Sequence, residues 1–315
     1  MLVLGFVLRR LGLLALVLLA VSVLTFGIVN VLPGDVATAI LGDMATPAQV
    51  AALRERLGLD APVAQRYLHW MGGMLVGDFG RSLQHGQAIT PMLLGRLGNS
   101  AILGGIALAI AAPLSIALGV LAALRPGRWL DRCISGFAVG TYALPEYVIG
   151  LVLILVFSIW LDWLPGSSLM DPNENPLARP EALVLPLLVL VSGMLAFISQ
   201  VTRATMIQTL DSPYVRTAIL KGLPFWKVVV KHALPNILPP TVAEIGMYVG
   251  YAIGGLVVVE TLFSYAGIGQ MMTNAVGYRD IPTIQAGVLV VAAAYGFGNL
   301  AADVASLLLN PRLRG

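Results

Sequence analysis

Four carboxylates, Glu146, Glu244, Glu260 and Asp303, lie within or at the ends of long apolar stretches of the 315-residue chain. An ionised carboxylate at the middle of a bilayer costs at least about 2.5 kcal/mol, so each should face protein or water. Such a group either lines a pathway and attracts a cation, or pairs internally with a tyrosine hydroxyl or a helix end. Glu260, close to the end of its stretch, equally suits a gate-closing or capping role. Covalent chemistry has no comparable candidates. His69, His85 and His232 are far apart in sequence, Cys133 is the lone cysteine, and no Cys/His cluster has metal-ligand spacing. GxSxG, HExxH and GxxxxGK[ST] are absent. The expectation is a chain with no catalytic site and no metal of its own.

The elements that position these residues follow from composition. Hydrophobic residues make up 58% of the chain and charged residues only 11%, where a soluble domain carries roughly a quarter charged. Mean hydropathy is +0.87. Apolar stretches at 11–32, 99–124, 133–161, 183–206, 236–262 and 282–309 are each long enough to cross the hydrocarbon layer as a helix. Backbone groups in lipid must be satisfied within the segment, so the expected fold class is an all-α integral membrane protein with six transmembrane helices. Arg9 and Arg10 before the first stretch imitate a signal peptide. The run is too long for one, however, and it ends in Leu32-Pro33-Gly34-Asp35 rather than at a small-residue cleavage site.

Orientation follows from Lys and Arg. With residues 1–10 in the cytoplasm, twelve of the nineteen fall on the cytoplasmic side and the short outer loops hold only Arg179 and Arg279. Both termini are then cytoplasmic, and residues 33–98 form an extracytoplasmic loop. Within it, Thr46-Pro47-Ala48-Gln49 reads as a capping box that starts a short helix running to about Leu57 and stopped by Gly58. That helix is either a lid on the membrane domain or a docking surface for an external partner.

The cytoplasmic loop 207–235 is richest in pattern. Ser212-Pro213 starts a helix with Tyr214, Val215, Ala218 and Ile219 on its apolar face, and Gly222 stops it. Pro224 starts a second, in which Phe225, Val228, Val229 and His232 share a face. Two short amphipathic helices meeting at a glycine corner, with Leu223, Phe225 and Trp226 at the tip, either seat in a partner or lie on lipid headgroups. In span five, Gly246, Gly250 and Gly254 repeat every four residues and form a smooth ridge for helix packing. Pro113, Pro145, Pro186 and Pro239-Pro240 should bend their spans.

The loop offers Arg216-Thr217-Ala218, three residues, Gly222, and then His232-Ala233-Leu234-Pro235-Asn236. It resembles the membrane subunits of ATP-binding cassette importers, which carry Glu-Ala-Ala, three residues, Gly and, about nine residues on, Ile-x-Leu-Pro. The departures at the Glu, the first Ala and the Ile look like the branch carrying dipeptides, oligopeptides and nickel. So do Leu32-Pro33-Gly34-Asp35, Arg56-Leu57-Gly58-Leu59-Asp60, Gly77-Asp78-Phe79-Gly80-Arg81-Ser82, Val259-Glu260-Thr261-Leu262-Phe263-Ser264, Gly267-Ile268-Gly269 and Asn310-Pro311-Arg312, which run the length of the chain.

The resemblance implies a type I importer permease, with residues 99–315 as its transmembrane domain, in a bacterial inner membrane. It implies that Arg216, Thr217, Ala218, Gly222, Leu223, Pro224, Phe225 and His232 couple to a cytoplasmic ATPase. The expected partners are a second homologous permease subunit, two ATP-binding subunits that hold ATP and Mg, and an extracytoplasmic solute-binding protein; this chain binds no cofactor. The solute is a di- or oligopeptide, with nickel or a glutathione-like compound as the alternative. The translocation path would then draw on Glu146, Glu244, Glu260 and Asp303, with a peptide amino terminus as one attracted cation. An ion-coupled secondary transporter is the rival reading, but no convincing internal repeat supports it.

Overall fold

A computed structural model describes residues 2–31, 36–42, 45–170 and 174–309. Among the described residues every regular element is helical, apart from one isolated bridge between Arg81 and Ala88. The long helices are α1 (Leu2–Val31), α5 (Ile89–Leu124), α8 (Glu181–Leu210), α11 (Leu234–Leu262) and α13 (Ile281–Leu309). Between α1 and α5 lie α2 (Val36–Leu41), α3 (Pro47–Leu57) and α4 (Val63–Leu75). Helices α1, α5, α8 and α13 each contain a stretch long and apolar enough to cross a membrane. Helix α11 coincides with the fifth expected span and has 29 residues, but it includes 247–254, whose side chains fall outside the described residues.

The third expected span is not one helix. It divides into α6 (Trp129–Ala143) and α7 (Glu146–Leu153), the latter continuing as a π-helix over Ile154–Trp160, and the two parts are bent by 105°. The cause is local. Pro145 supplies no N–H and disfavours the α conformation for the residue before it, and Leu144 is extended at φ −109 and ψ 131. The other prolines expected to bend their spans, Pro113, Pro186 and Pro239-Pro240, all lie inside continuous helices.

Helix α5 begins ten residues before the expected span. Its 36 residues measure about 54 Å at about 1.5 Å per residue, well beyond a hydrocarbon layer about 30 Å thick. The additional turns are held by protein, because Ile89 and Leu93 are buried against Ile268, Met271 and Ala286. Helix α12 (Ile268–Gly277), which follows α11, provides two of those three residues.

The main core lies where α5 meets α8. Leu103, Ala107 and Ala111 pack with Leu185, Val189 and Ile198, and Val259 and Phe263 close the cluster. Near the other end of this crossing Gly119 is obligatory: a Cβ there would sit 2.6 Å from the Ser199 carbonyl oxygen and 2.6 Å from Cβ of Thr202. Between α1 and α5, α3 has the expected capping box, with the Thr46 N–H donating to Gln49 Oε1 at 2.9 Å and Gly58 closing the helix at φ +62.

Candidate functional site

Residues 211–234 fold as the two-helix corner that their pattern predicts. Helix α9 (Pro213–Leu220) is followed by Gly222 at φ +78, a left-handed conformation that costs glycine little and other residues more. The turn closes with Gly222 N–H donating to the Ile219 carbonyl at 2.9 Å. Pro224 then leads into α10 (Phe225–Val228), a π-turn over Val229–Ala233, and α11 without a break. Ser212 marks the helix start but does not cap it; its hydroxyl donates back to the Thr209 carbonyl.

Burial divides the corner into a root and a tip. Val215, Ala218 and Val228 are buried together, with Leu210 against them. Val229, Ala233 and Ile237 pack on Ala123 and Met206, which fixes the corner to α5 and α8. The tip is open: Leu220 is 79% exposed and Trp226 61%, and Leu223 and Phe225 are exposed as well. Tyr214 and Ile219, expected on the packed face, are exposed instead. Arg216, Thr217, Gly222 and Pro224 also face outward, Ala218 belongs to the root, and His232 is half-buried with its carbonyl accepting from Asn236. The corner therefore presents apolar side chains to its surroundings, and its second helix runs on into α11.

The four carboxylates have different environments. Glu260 is fully buried and accepts from Ser100 Oγ, from the Gly269 N–H at 2.7 Å and from the Gln270 N–H at 3.3 Å. It closes the amino end of α12, where the helix dipole favours negative charge. Ser100 Oγ in turn accepts from the Ile268 N–H, and Tyr265 donates to the Asn99 carbonyl at 2.7 Å. Burial, and then the Glu260 carboxylate, push the Tyr265 hydroxyl above its ordinary pKa, so it remains a donor. Asp303 pairs with Arg10 at 3.1 Å and ties α13 to α1. Glu146, the first residue of α7, rests against Gly255, while Glu244 is half-buried on α11. Gly246 lies against Ala302, which places the start of the glycine ridge in packing between α11 and α13. Gly250 and Gly254 lie outside the described side chains.

Two acidic residues with structural work were not singled out by the sequence. Asp131 is buried in the first turn of α6 and receives both Arg203 Nε and Arg203 Nη2, plus the Gly127 N–H at 2.8 Å. Its one sequence signal is an acid among Arg125, Arg128 and Arg132 at a span end. Asp280 is buried between Ser82, the Leu83 N–H and Thr283, and pins the 81–88 turn to the start of α13. Nothing in its local sequence announces that partner.

Residues 115–315 match the binding-protein-dependent transport system inner membrane component, and residues 3–102 match the N-terminal part of such membrane components. The chain belongs to this family. This transport-system membrane component is 34% identical to the di/tripeptide transport system permease protein DppB of Pseudomonas aeruginosa, over 99% of each chain. It is 33% identical to the oligopeptide transport system permease protein AppB of Bacillus subtilis, over 98% of this chain and 99% of that one. A crystal structure of an amino acid ABC transporter with histidines shares the fold, with a TM-score of 0.51 and 18% identity over 71% of this chain and 95% of that chain. A membrane component of a transport system acts in a complex with other subunits.

Proposed function

We propose that the chain is one of the two pore-forming permease subunits of an ATP-driven importer that carries di- or oligopeptides across a bacterial inner membrane, with both termini cytoplasmic. The observation that carries this reading is the 211–234 corner, whose apolar tip is exposed and whose root runs directly into α11. Seated in a groove of a cytoplasmic ATPase subunit, Leu223, Phe225 and Trp226 would be covered, and closure of two ATPases on nucleotide would move α11 as a rigid element. Differential binding of ATP to the two arrangements biases the equilibrium between inward-facing and outward-facing states. ATP and Mg then belong to the ATPase subunits, and this chain couples without hydrolysing. The peptide solute is supported by the di/tripeptide and oligopeptide relatives. A second homologous permease, two ATPase subunits and an extracytoplasmic binding protein complete the assembly.

The experiment is purification in mild detergent with the ATPase subunits, comparing wild type with Gly222→Asp. An aspartate at φ +78 strains the turn and adds charge beside the apolar tip, so ATPase association or transport-coupled hydrolysis should be lost. Unchanged assembly and transport would remove the coupling role.

A further inference from the structure

Two of the four membrane carboxylates are satisfied inside the subunit, Glu260 by three donors and Asp303 by Arg10. Glu146 is different. It opens α7 immediately after the break at Leu144-Pro145, it is half-buried, and among the described residues no donor reaches its carboxylate. The side chain is instead pressed against backbone: a Cβ on Gly255 would lie 2.5 Å from its Oε2 and 2.8 Å from its Oε1. One turn further along α7, Gly150 gives Leu262 a similarly close approach. The wall facing the carboxylate is therefore α11, the helix that starts from the cytoplasmic corner.

Charge accounting around Glu146 points outward. Residues 133–178 contain no Lys or Arg, and neither does α11. The one cation on α8, Arg203, is already held by Asp131. The helices packed against Glu146 therefore offer its carboxylate no free cation, so it either takes up a proton or draws its counter-charge from beyond its own subunit. A peptide in neutral water carries an α-ammonium group, a compact charge with three donors that suits a single carboxylate.

Resting on the importer reading above, we infer that Glu146 holds the α-ammonium group of the solute in the translocation path, and that Gly255 is the wall that sets how far the carboxylate projects. Movement of α11 by the corner shifts that wall, so the same helix that receives force from the ATPase controls access to the charge. Glu146 is thus a specificity-determining residue for solutes with a free amino terminus.

The test is equilibrium binding of a labelled dipeptide and of its N-acetyl counterpart to the assembled, detergent-solubilised membrane complex without the binding protein. Wild type should bind the free-amino form about tenfold more tightly or better, the size of a charge-assisted hydrogen bond. Glu146→Gln should bind both forms equally weakly, Glu146→Asp should recover part of the preference, and Gly255→Ala should lose it while keeping the charge. Equal binding of both forms by wild type, no binding of either, or an unaltered preference in Glu146→Gln overturns the inference. So does loss of the second permease subunit from purified Glu146→Gln, which would make the carboxylate a contact between subunits. Dipeptide uptake by wild-type proteoliposomes separates the two readings. Uptake with no amino-terminal preference sinks this inference alone, whereas absence of peptide uptake sinks the importer reading and this inference with it.

Discussion

Arg203, near the end of α8, donates twice to Asp131 in the first turn of α6, from Nε at 2.5 Å and from Nη2 at 2.8 Å. The fork-to-carboxylate geometry fixes orientation as well as distance, and the Gly127 N–H adds a third donor to the same carboxylate. This pair joins the start of the broken span to the helix that forms half of the main core.

Removing one partner of this pair leaves a largely buried charge unmatched, which costs about 3–5 kcal/mol. Asp131→Asn and Arg203→Gln should each lower the thermal unfolding midpoint in detergent. The double variant should lose less than the sum of the two, because neither charge is then stranded. Additive losses in the double-mutant cycle would mean that the two groups do not interact.

The tip and root of the 211–234 corner should separate in mutagenesis. Phe225→Ala and Trp226→Ala remove exposed side chains and should change stability by no more than about 0.5 kcal/mol while weakening ATPase association about tenfold. Val228→Asp buries a charge among Val215, Ala218 and Leu210 and should unfold the corner outright. Hydrogen exchange across 211–234 distinguishes these outcomes: slow in the tip variants and fast in the root variant.

Glu260 holds the amino end of α12 through groups that an amide only partly replaces. Glu260→Gln should raise hydrogen exchange in α12 without disturbing the α5–α8 core. Tyr265→Phe, which loses one hydrogen bond to the Asn99 carbonyl, should cost about 1 kcal/mol. Gly267→Ala places a methyl in the space of the Glu260 carboxylate and should be the most damaging of the three. Equal exchange in α12 for wild type and Glu260→Gln would show that the carboxylate is not what holds this helix end.

The crossing of α5 and α8 has no room at Gly119. Gly119→Ala should destabilise by about 1–3 kcal/mol, since the Ser199 carbonyl belongs to a helix backbone that cannot withdraw. Gly105, with nothing near its Cβ position, is the matched control, and Gly105→Ala should be neutral or slightly stabilising. A reversed order of the two unfolding midpoints would place the close approach elsewhere.

Local features were legible from residue order because neighbouring residues decide them. The Thr46 capping box, the glycine stop at Gly58 and the proline–glycine corner around Gly222 depend on backbone propensity within a few positions. Long apolar runs likewise announced the membrane helices. The break at Leu144-Pro145 exceeded the expected bend, since a proline shows that a helix is weakened but not whether neighbouring packing keeps it continuous. Pro113 and Pro186, inside unbroken helices, carry the same local signal with the opposite outcome.

The role of each carboxylate was decided by tertiary structure alone. Glu146 and Glu260 look alike in sequence, each an acid in an apolar stretch, yet one is capped by donors and the other faces a glycine. The serine that satisfies Glu260 is 160 residues away, and the arginine that satisfies Asp131 is 72 residues away. Residue order by itself determined that this chain is a bundle of membrane helices with a two-helix corner turning at a glycine, because hydrophobic length and turn chemistry are local. Which buried charges have partners depends on helix crossings set by close packing between segments remote in the chain, and only the folded bundle brings those atoms within hydrogen-bonding distance.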